Sequence, residues 1–178
     1  MPDAYEGCGI YHYTPLPSQK FIRLLELYPG HGNDDIDCAL IHTELEQAPE
    51  YETISYTWGN PTNKSIVLCH GKIVKVTQNL KDALVRFRLK DRSRILWVDA
   101  LCINQEDGPE KGFQVKLMNR IYGNATRVCV WLGCTTAQMQ PAFELIAQIV
   151  NHPNPTSIRK SLHPNEIEPH IDTVKSCR

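Results

Sequence analysis

The second half of the chain alternates between helical and strand-like patterns, and this alternation is the strongest constraint on its fold. Apolar residues recur at helical spacing in segments that are separated by short apolar runs. The predicted order is helix 79–90, strand 94–98, helix 109–122, strand 127–132 and helix 139–150. Short links between alternating helices and strands imply parallel strands joined by right-handed crossovers. The sequence therefore predicts an α/β domain with a parallel-sheet core and flanking helices.

The N-terminal half has strand-like patterns instead. The predicted strands cover residues 21–27, 36–45, 53–57, 65–69 and 72–76. His70-Gly71 separates the last two, and a two-residue loop with glycine favours a β-hairpin. We therefore expect additional N-terminal strands, including this hairpin, beside the parallel core.

We divide the chain into an irregular lead-in at residues 1–20, a domain at residues 21–150 and a poorly structured tail at residues 151–178. The lead-in contains several glycines and prolines, which interrupt regular structure. The tail is rich in proline, asparagine and histidine and has no sustained period.

The composition of the 178 residues is that of a globular protein and excludes some partners. The net charge is −1, with 19 basic and 20 acidic residues, so we expect no nucleic-acid or membrane surface. No apolar window has the length of a membrane span, and the N-terminus lacks the pattern of a signal peptide. We therefore expect a cytoplasmic protein.

The seven cysteines are scattered, and none forms a Cys-x-x-Cys pair. Cys69-His70 has no second pair at the spacing of metal ligands, so we expect no metal site and no bound cofactor. Cys102 could serve as a catalytic thiol, but it lies between Leu101 and Ile103 with no histidine nearby in sequence. Inert packing is the favoured role for this thiol.

Polar side chains follow the predicted strand 94–98. Asp99 comes directly after its apolar run, and Asn104 and Gln105 follow. Open α/β sheets build their sites from such groups at the carboxyl ends of strands. The alternative is that Asp99 caps a turn and the two amides bind nearby backbone.

Several ordered blocks of sequence resemble the heterokaryon-incompatibility (HET) domain of filamentous fungi. The blocks are Tyr-Glu-Thr-Ile-Ser-Tyr-Thr-Trp-Gly at 51–59, Val-Thr-Gln-Asn-Leu at 76–80, Leu-Trp-Val-Asp-Ala-Leu-Cys-Ile-Asn-Gln at 96–105, Glu-Lys-Gly-Phe-Gln at 110–114 and Val-Trp-Leu-Gly at 130–133. Lys111 departs from the arginine that is usual after the glutamate. The resemblance implies an effector module of non-self recognition that promotes programmed cell death. It also implies protein partners, either a sensor of the HET type or further copies of the chain.

We predict that the blocks meet at the carboxyl edge of the parallel sheet. Asp99, Asn104 and Gln105 are expected there, near Trp58 and Gly59. The candidate ligand-binding residues are Tyr56, Trp58, Gly59, Asn104 and Gln105. Trp58 could stack on a nucleotide base or only pack, and Gly59 could admit a ligand or only allow a turn.

HET domains are distantly similar to Toll/interleukin-receptor (TIR) domains, some of which cleave NAD with a glutamate on the helix after a parallel strand. By this analogy Glu144 is the first catalytic candidate and Asp99 the second, with NAD as a substrate. The alternatives are that Glu144 is a solvated helix carboxylate and that the domain is a non-enzymatic interaction module.

Overall fold

The structure is a computed structural model that describes residues 5, 7–32 and 34–133. These residues lie within the compact unit Met1–Gly133. The predicted helix 139–150 and the predicted tail lie outside the described residues. The limits of the lead-in, the domain and the tail stay predictions.

A sheet of seven strands forms the centre of the described unit. The strands are β1 Phe21–Leu27, β2 Asp37–Glu44, β3 Glu52–Tyr56, β4 Lys64–Cys69, β5 Lys72–Thr77, β6 Arg94–Trp97 and β7 Arg127–Trp131. The helices are α1 Gln78–Phe87, α2 Asp99–Cys102 and α3 Gly108–Asn124, and a 3₁₀ turn covers Leu45–Gln47. The spatial order of the strands is β5-β4-β2-β1-β6-β3-β7.

The predicted α/β class is confirmed. β3 runs parallel to both of its neighbours, β6 and β7, and these strands form the predicted parallel core. β1 lies in the middle of the sheet and is antiparallel to β2 and β6, so the sheet as a whole is mixed. The other N-terminal strands extend the sheet on the far side of β1.

The predicted hairpin is confirmed as β4 and β5, which pair in antiparallel register with Val67 opposite Val74. His70 and Gly71 form its turn with φ values of 51° and 70°. Two positive φ values match the twist of a two-residue hairpin loop, which explains glycine at the second position.

Helix α1 begins as predicted and ends early. Thr77 is its N-cap, and the Thr77 hydroxyl accepts a hydrogen bond from the Leu80 backbone N–H at 3.3 Å. The prediction placed the end at Lys90, but Arg88 already has extended backbone, with φ −62° and ψ 132°. The Arg88 guanidinium donates to the carbonyl oxygens of a loop, namely those of His31, Gly32, Asp34 and Asp35. The loop thus draws Arg88 out of the helical path.

The predicted buried face of α3 is wrong in part. We expected Phe113, Leu117 and Ile121 to face the core, but Ile121 is the one of these that is fully buried. The other buried residues of the helix are polar, Glu110 and Gln114. The Gln114 amide donates to the Phe21 carbonyl oxygen at 2.8 Å, so α3 meets the sheet through hydrogen bonds at its N-terminal half.

A buried ion pair explains why Glu110 lies inside. Arg23 on β1 is 0% exposed, and its guanidinium donates to both oxygens of the Glu110 carboxylate at 2.5 and 2.9 Å. The same guanidinium donates to the Thr14 and Cys102 carbonyl oxygens and lies 5.0 Å from the centre of the Tyr13 ring. This one cation therefore ties the lead-in, α2 and α3 to the sheet.

We predict that Glu110→Gln lowers the free energy of unfolding by about 3–5 kcal/mol, because the buried Arg23 charge loses its counterion. Urea denaturation measures this change. The matched control is Asp91→Asn, which breaks the exposed Arg92–Asp91 pair and should change the stability by less than about 1 kcal/mol. Equal effects of the two variants would contradict the anchoring role of Arg23.

Candidate functional site

The carboxyl ends of three parallel strands lie at the same edge of the sheet. Thr53 on β3 is opposite Trp97 on β6, and Tyr56 on β3 is opposite Trp131 on β7. The segments that follow these strands therefore emerge side by side. Blocks of sequence that are far apart along the chain, at 51–59, 96–105 and 130–133, meet here. We call this region the sheet edge.

Asp99 and Trp58 are in direct contact at the sheet edge. The Trp58 indole N–H donates to Asp99 Oδ2 at 2.9 Å. The other carboxylate oxygen of Asp99 accepts from the Ala100 backbone N–H at 2.8 Å. Asp99 also begins the one-turn helix α2, which the sequence did not predict. Asp99 thus acts at the start of a turn and, at the same time, fixes the orientation of a half-exposed indole.

Tyr56 is the third member of this group. The pKa of its phenol is raised well above the usual value, first by burial and then by the charge of Asp99 and hydrogen bonding to it. The pKa of Tyr122 is also raised, by burial and by the same carboxylate, and its ring packs edge-on against Trp97. Asp99 therefore has an aromatic environment in which neutral phenols and an indole N–H surround its charge.

The two amides of the predicted site differ. Gln105 lies at the sheet edge, where its side-chain NH₂ donates to the Asp99 carbonyl oxygen at 2.8 Å. The Gln105 side-chain oxygen is buried and has no hydrogen-bond partner. Asn104 instead serves its own loop, because its side-chain oxygen accepts from the Glu106 backbone N–H at 3.2 Å. Its contacts do not join it to Asp99 or Trp58.

Gly59 has a φ of +72°, a value that favours glycine. A Cβ atom added to Gly59 would lie 3.2 Å from Asn79 Cβ, so the backbone passes close to α1 here. The positive φ of the turn and the close packing against Asn79 are therefore sufficient reasons for glycine at this position.

Asn79 is a site residue that sequence reasoning did not single out. Its side-chain NH₂ donates to the Thr57 carbonyl oxygen at 2.5 Å, and its side-chain oxygen accepts from the Trp131 indole N–H at 2.9 Å. It therefore connects the ends of β3 and β7 to the first turn of α1. The signal that could have identified it was its place in the block 76–80, which carries part of the resemblance.

Cys102 has no features of a catalytic thiol. The pKa of its thiol is raised to about 12, chiefly by burial and to a lesser extent by Asp99, which together outweigh the lowering effects of the Val98 backbone hydrogen bond and of Arg23. The thiol is therefore protonated near neutral pH. Its sulfur accepts a hydrogen bond from the Val98 backbone N–H at 3.3 Å. These contacts agree with inert packing.

Glu144 lies outside the described residues, so its position relative to the sheet edge stays a prediction. Within the described part of the chain, no group of three or more His, Cys, Asp and Glu side chains is placed to hold a metal ion. None of the helices described between residues 5 and 133 combines the length and apolar character that crossing a bilayer requires.

Comparison with known proteins identifies the family. Residues 51–175 match the family model described as "Heterokaryon incompatibility protein (HET)". The chain is also 32% identical over 142 residues to "Heterokaryon incompatibility protein 6, OR allele" from Neurospora crassa. That alignment covers 72% of this chain but 21% of the relative, so the chain spans about a fifth of the relative's length. No solved structure matches. The family match covers most of the chain and includes every residue of the sheet edge, and the chain therefore belongs to the HET family.

Proposed function

We propose that this HET domain acts in fungal heterokaryon incompatibility as an effector that promotes cell death. Membership of the family and the similarity to an incompatibility protein of Neurospora crassa support the proposal. The observation that carries it is the sheet edge, where the sequence blocks typical of the family converge on the Asp99–Trp58 contact. We propose that this contact belongs to the part of the domain that acts on a ligand or partner.

Trp58 is well suited to bind a flat ligand. It is 46% exposed, which is high for a tryptophan, yet Asp99 holds its indole N–H. A fixed and exposed aromatic face stacks on a nucleotide base or a nicotinamide ring without a large loss of side-chain entropy.

The ligand we propose is NAD, with hydrolysis of its nicotinamide–ribose bond as the reaction. Water attacks the anomeric carbon of the ribose, the bond to the nicotinamide nitrogen breaks, and nicotinamide leaves with the bonding electrons. The products are nicotinamide, ADP-ribose and a proton. A carboxylate would stabilise the oxocarbenium-like ribose, as carboxylates do in glycoside hydrolysis.

Glu144 remains the first candidate for this carboxylate, on the analogy with TIR domains. Asp99 is the second, because both of its oxygens already accept hydrogen bonds from Trp58 and Ala100. In the proposal Asp99 is therefore a positioning residue that orients Trp58. Its negative charge also helps to stabilise the positive charge that develops on the ribose.

A second candidate function is killing by assembly without catalysis. Three alternate apolar residues along and just after β7, Val128, Val130 and Leu132, are 45%, 60% and 52% exposed. Among the strands of the described residues, β7 is at the end of the order, and exposed apolar residues there are typical of a surface that contacts another protein. The partner would be a sensor protein or a second copy of the chain.

We predict that the purified chain, fused to a dimerising module so that copies are brought together, releases nicotinamide from NAD. Glu144→Ala should abolish release, and Trp58→Ala should weaken NAD binding by about tenfold or more because one base loses its stacking surface. Glu106→Ala, which removes an exposed carboxylate, is the matched control for Glu144. Chromatographic detection of nicotinamide measures the reaction. The hydrolase proposal is rejected if neither the monomer nor the fused dimer releases nicotinamide and the Glu144→Ala variant is still fully toxic in cells. Killing by assembly would then be the remaining function.

We predict that Asp99→Asn lowers the pKa of Tyr56, because it removes a neighbouring negative charge and leaves the phenol buried. The raised pKa means that the folded phenol holds its proton more tightly than the unfolded one. Its contribution to stability is complete below about pH 10 and is lost as the pH rises through the folded pKa. Ultraviolet titration measures the shift, and Tyr56→Phe identifies the signal. An unchanged Tyr56 titration in Asp99→Asn would contradict the aromatic environment assigned to Asp99.

We predict that expression of the chain in a fungal host arrests growth and that Asp99→Asn relieves the arrest with a Tm close to that of the parent. The carboxylate is half-buried, and asparagine keeps one acceptor oxygen, so the scaffold is largely retained. Asp91→Asn is the matched control at an exposed site. A large fall in Tm together with lost toxicity would assign Asp99 to the scaffold alone.

A further inference from the structure

A cavity of about 400 Å³ lies on the opposite half of the sheet from the sheet edge. The residues of its wall used below are Tyr11, His12, Thr14, His42, His70 and Lys72. They come from the lead-in, from β2 and from the β4–β5 hairpin, and we call this cavity the histidine cavity. Its volume is within the range of small-molecule sites, roughly 300–1,000 Å³.

The charge of the histidine cavity has one sign. Of the described residues that line it, His12, His42, His70 and Lys72 are basic and none is acidic. Burial lowers the pKa of His42, and the charges of Arg23 and His70 lower it further, so this ring favours its neutral form. Glu110 raises that pKa, but its carboxylate is already bound by Arg23. No acidic side chain among the described lining residues is therefore free to neutralise the cavity.

Backbone hydrogen bonds hold the wall in place. The lead-in pairs with β5, since the Tyr11 backbone N–H donates to the Ile73 carbonyl oxygen and the Ile73 N–H donates to the Gly9 carbonyl oxygen, both at 2.9 Å. The Tyr11 ring stacks on His70 with an interplanar angle of 14°. His12 and Thr14 are one and three residues after Tyr11, and they line the same cavity as His70 and Lys72 of the hairpin.

Two of the histidines have polar neighbours within the wall. His70 Nε2 accepts from the Leu40 backbone N–H at 3.0 Å, which places the ring proton of the neutral form on Nδ1. His42 Nε2 lies 3.4 Å from the Thr14 hydroxyl oxygen. Together with the Lys72 ammonium, these groups offer several N–H and O–H donors around one space.

We propose that the histidine cavity binds a phosphate monoester group. Such a group carries about −1.5 to −2 charges at neutral pH and three strong acceptor oxygens, which match a wall of basic donors without carboxylates. A diester or a carboxylate has fewer acceptor oxygens and less charge and fits this wall less well. The volume leaves room for the moiety that carries the phosphate.

The histidine cavity is a second site, distinct from the sheet edge. Its wall comes from the lead-in, β2 and the hairpin, whereas the sheet edge follows β3, β6 and β7, and β1 separates the two halves. Binding of phosphate here does not depend on whether the domain hydrolyses NAD.

We expect inorganic phosphate to bind the chain saturably at about pH 7, where it carries between one and two negative charges. The groups that face the cavity are His12 and Tyr11 of the lead-in, His42 of β2, and His70 and Lys72 of the hairpin. The Tyr11 phenol is neutral at this pH because burial raises its pKa. Histidine ring shifts in an NMR titration against phosphate, with chloride at equal ionic strength as reference, measure the affinity.

Two substitutions and their matched controls test the wall. Lys72→Gln should weaken phosphate binding about tenfold through loss of a charge-assisted hydrogen bond, and His42→Gln should weaken it about threefold through loss of a neutral one. Lys75→Gln, on the same strand, and His31→Gln, in an exposed loop, should leave the affinity within about twofold. The NMR titration of the parent chain tests phosphate binding even if a variant folds poorly.

A nucleoside monophosphate and vesicles that contain phosphatidic acid distinguish the source of the phosphate. Tighter binding of AMP than of inorganic phosphate supports a nucleotide, and vesicle binding that is lost in the His42→Gln/Lys72→Gln variant supports a lipid headgroup. The proposal is overturned if phosphate shifts the histidine resonances no more than chloride does. It is also overturned if that double variant binds phosphate as tightly as the parent.

Discussion

The buried pair of Arg23 and Glu110 is the interaction on which the arrangement of the other elements depends. A guanidinium that is 0% exposed must be neutralised, and the carboxylate that does so comes from the first turn of α3. The same carboxylate accepts from the Asn104 backbone N–H at 2.8 Å, which fixes the loop between α2 and α3. Helix α2 begins at Asp99 and leads into this loop. The ion pair therefore also restricts the position of the Asp99 carboxylate at the sheet edge.

The sheet divides the chemistry of the domain into two regions. On one side of β1, parallel strands bring Asp99, Trp58 and Asn79 together, and their hydrogen bonds are shared among strand ends and the first turns of helices. On the other side, the lead-in pairs alongside β5 and lines a basic cavity together with His42. The first region presents an aromatic face with a negative charge, and the second presents donors with positive charge. Ligands of different chemistry suit the two regions.

Local signals in the sequence predicted most of the elements, and long-range partners explain the rest. The Thr77 cap and the hairpin were predictable because each depends on neighbours within a few residues. The polar face of α3 was not, because the partner that buries Glu110 is Arg23, 87 positions away. The early end of α1 likewise depends on carbonyl groups more than fifty positions from Arg88. Proximity of Trp58 and Asp99 was expected from strand ends, but their hydrogen bond requires side-chain coordinates.

The place of β3 in the sheet has a consequence for how the chain is synthesised and folds. Both neighbours of β3, strands β6 and β7, come later in the chain. As the chain leaves the ribosome, β3 therefore has two unpaired edges until Trp97 and then Trp131 emerge. Pairing at such sequence separation slows folding, and an unpaired apolar strand is open to association with other chains. A nascent chain that stops before β7 would retain this open edge beside Ile54, so recruitment of chaperones is expected to last until β7 is made.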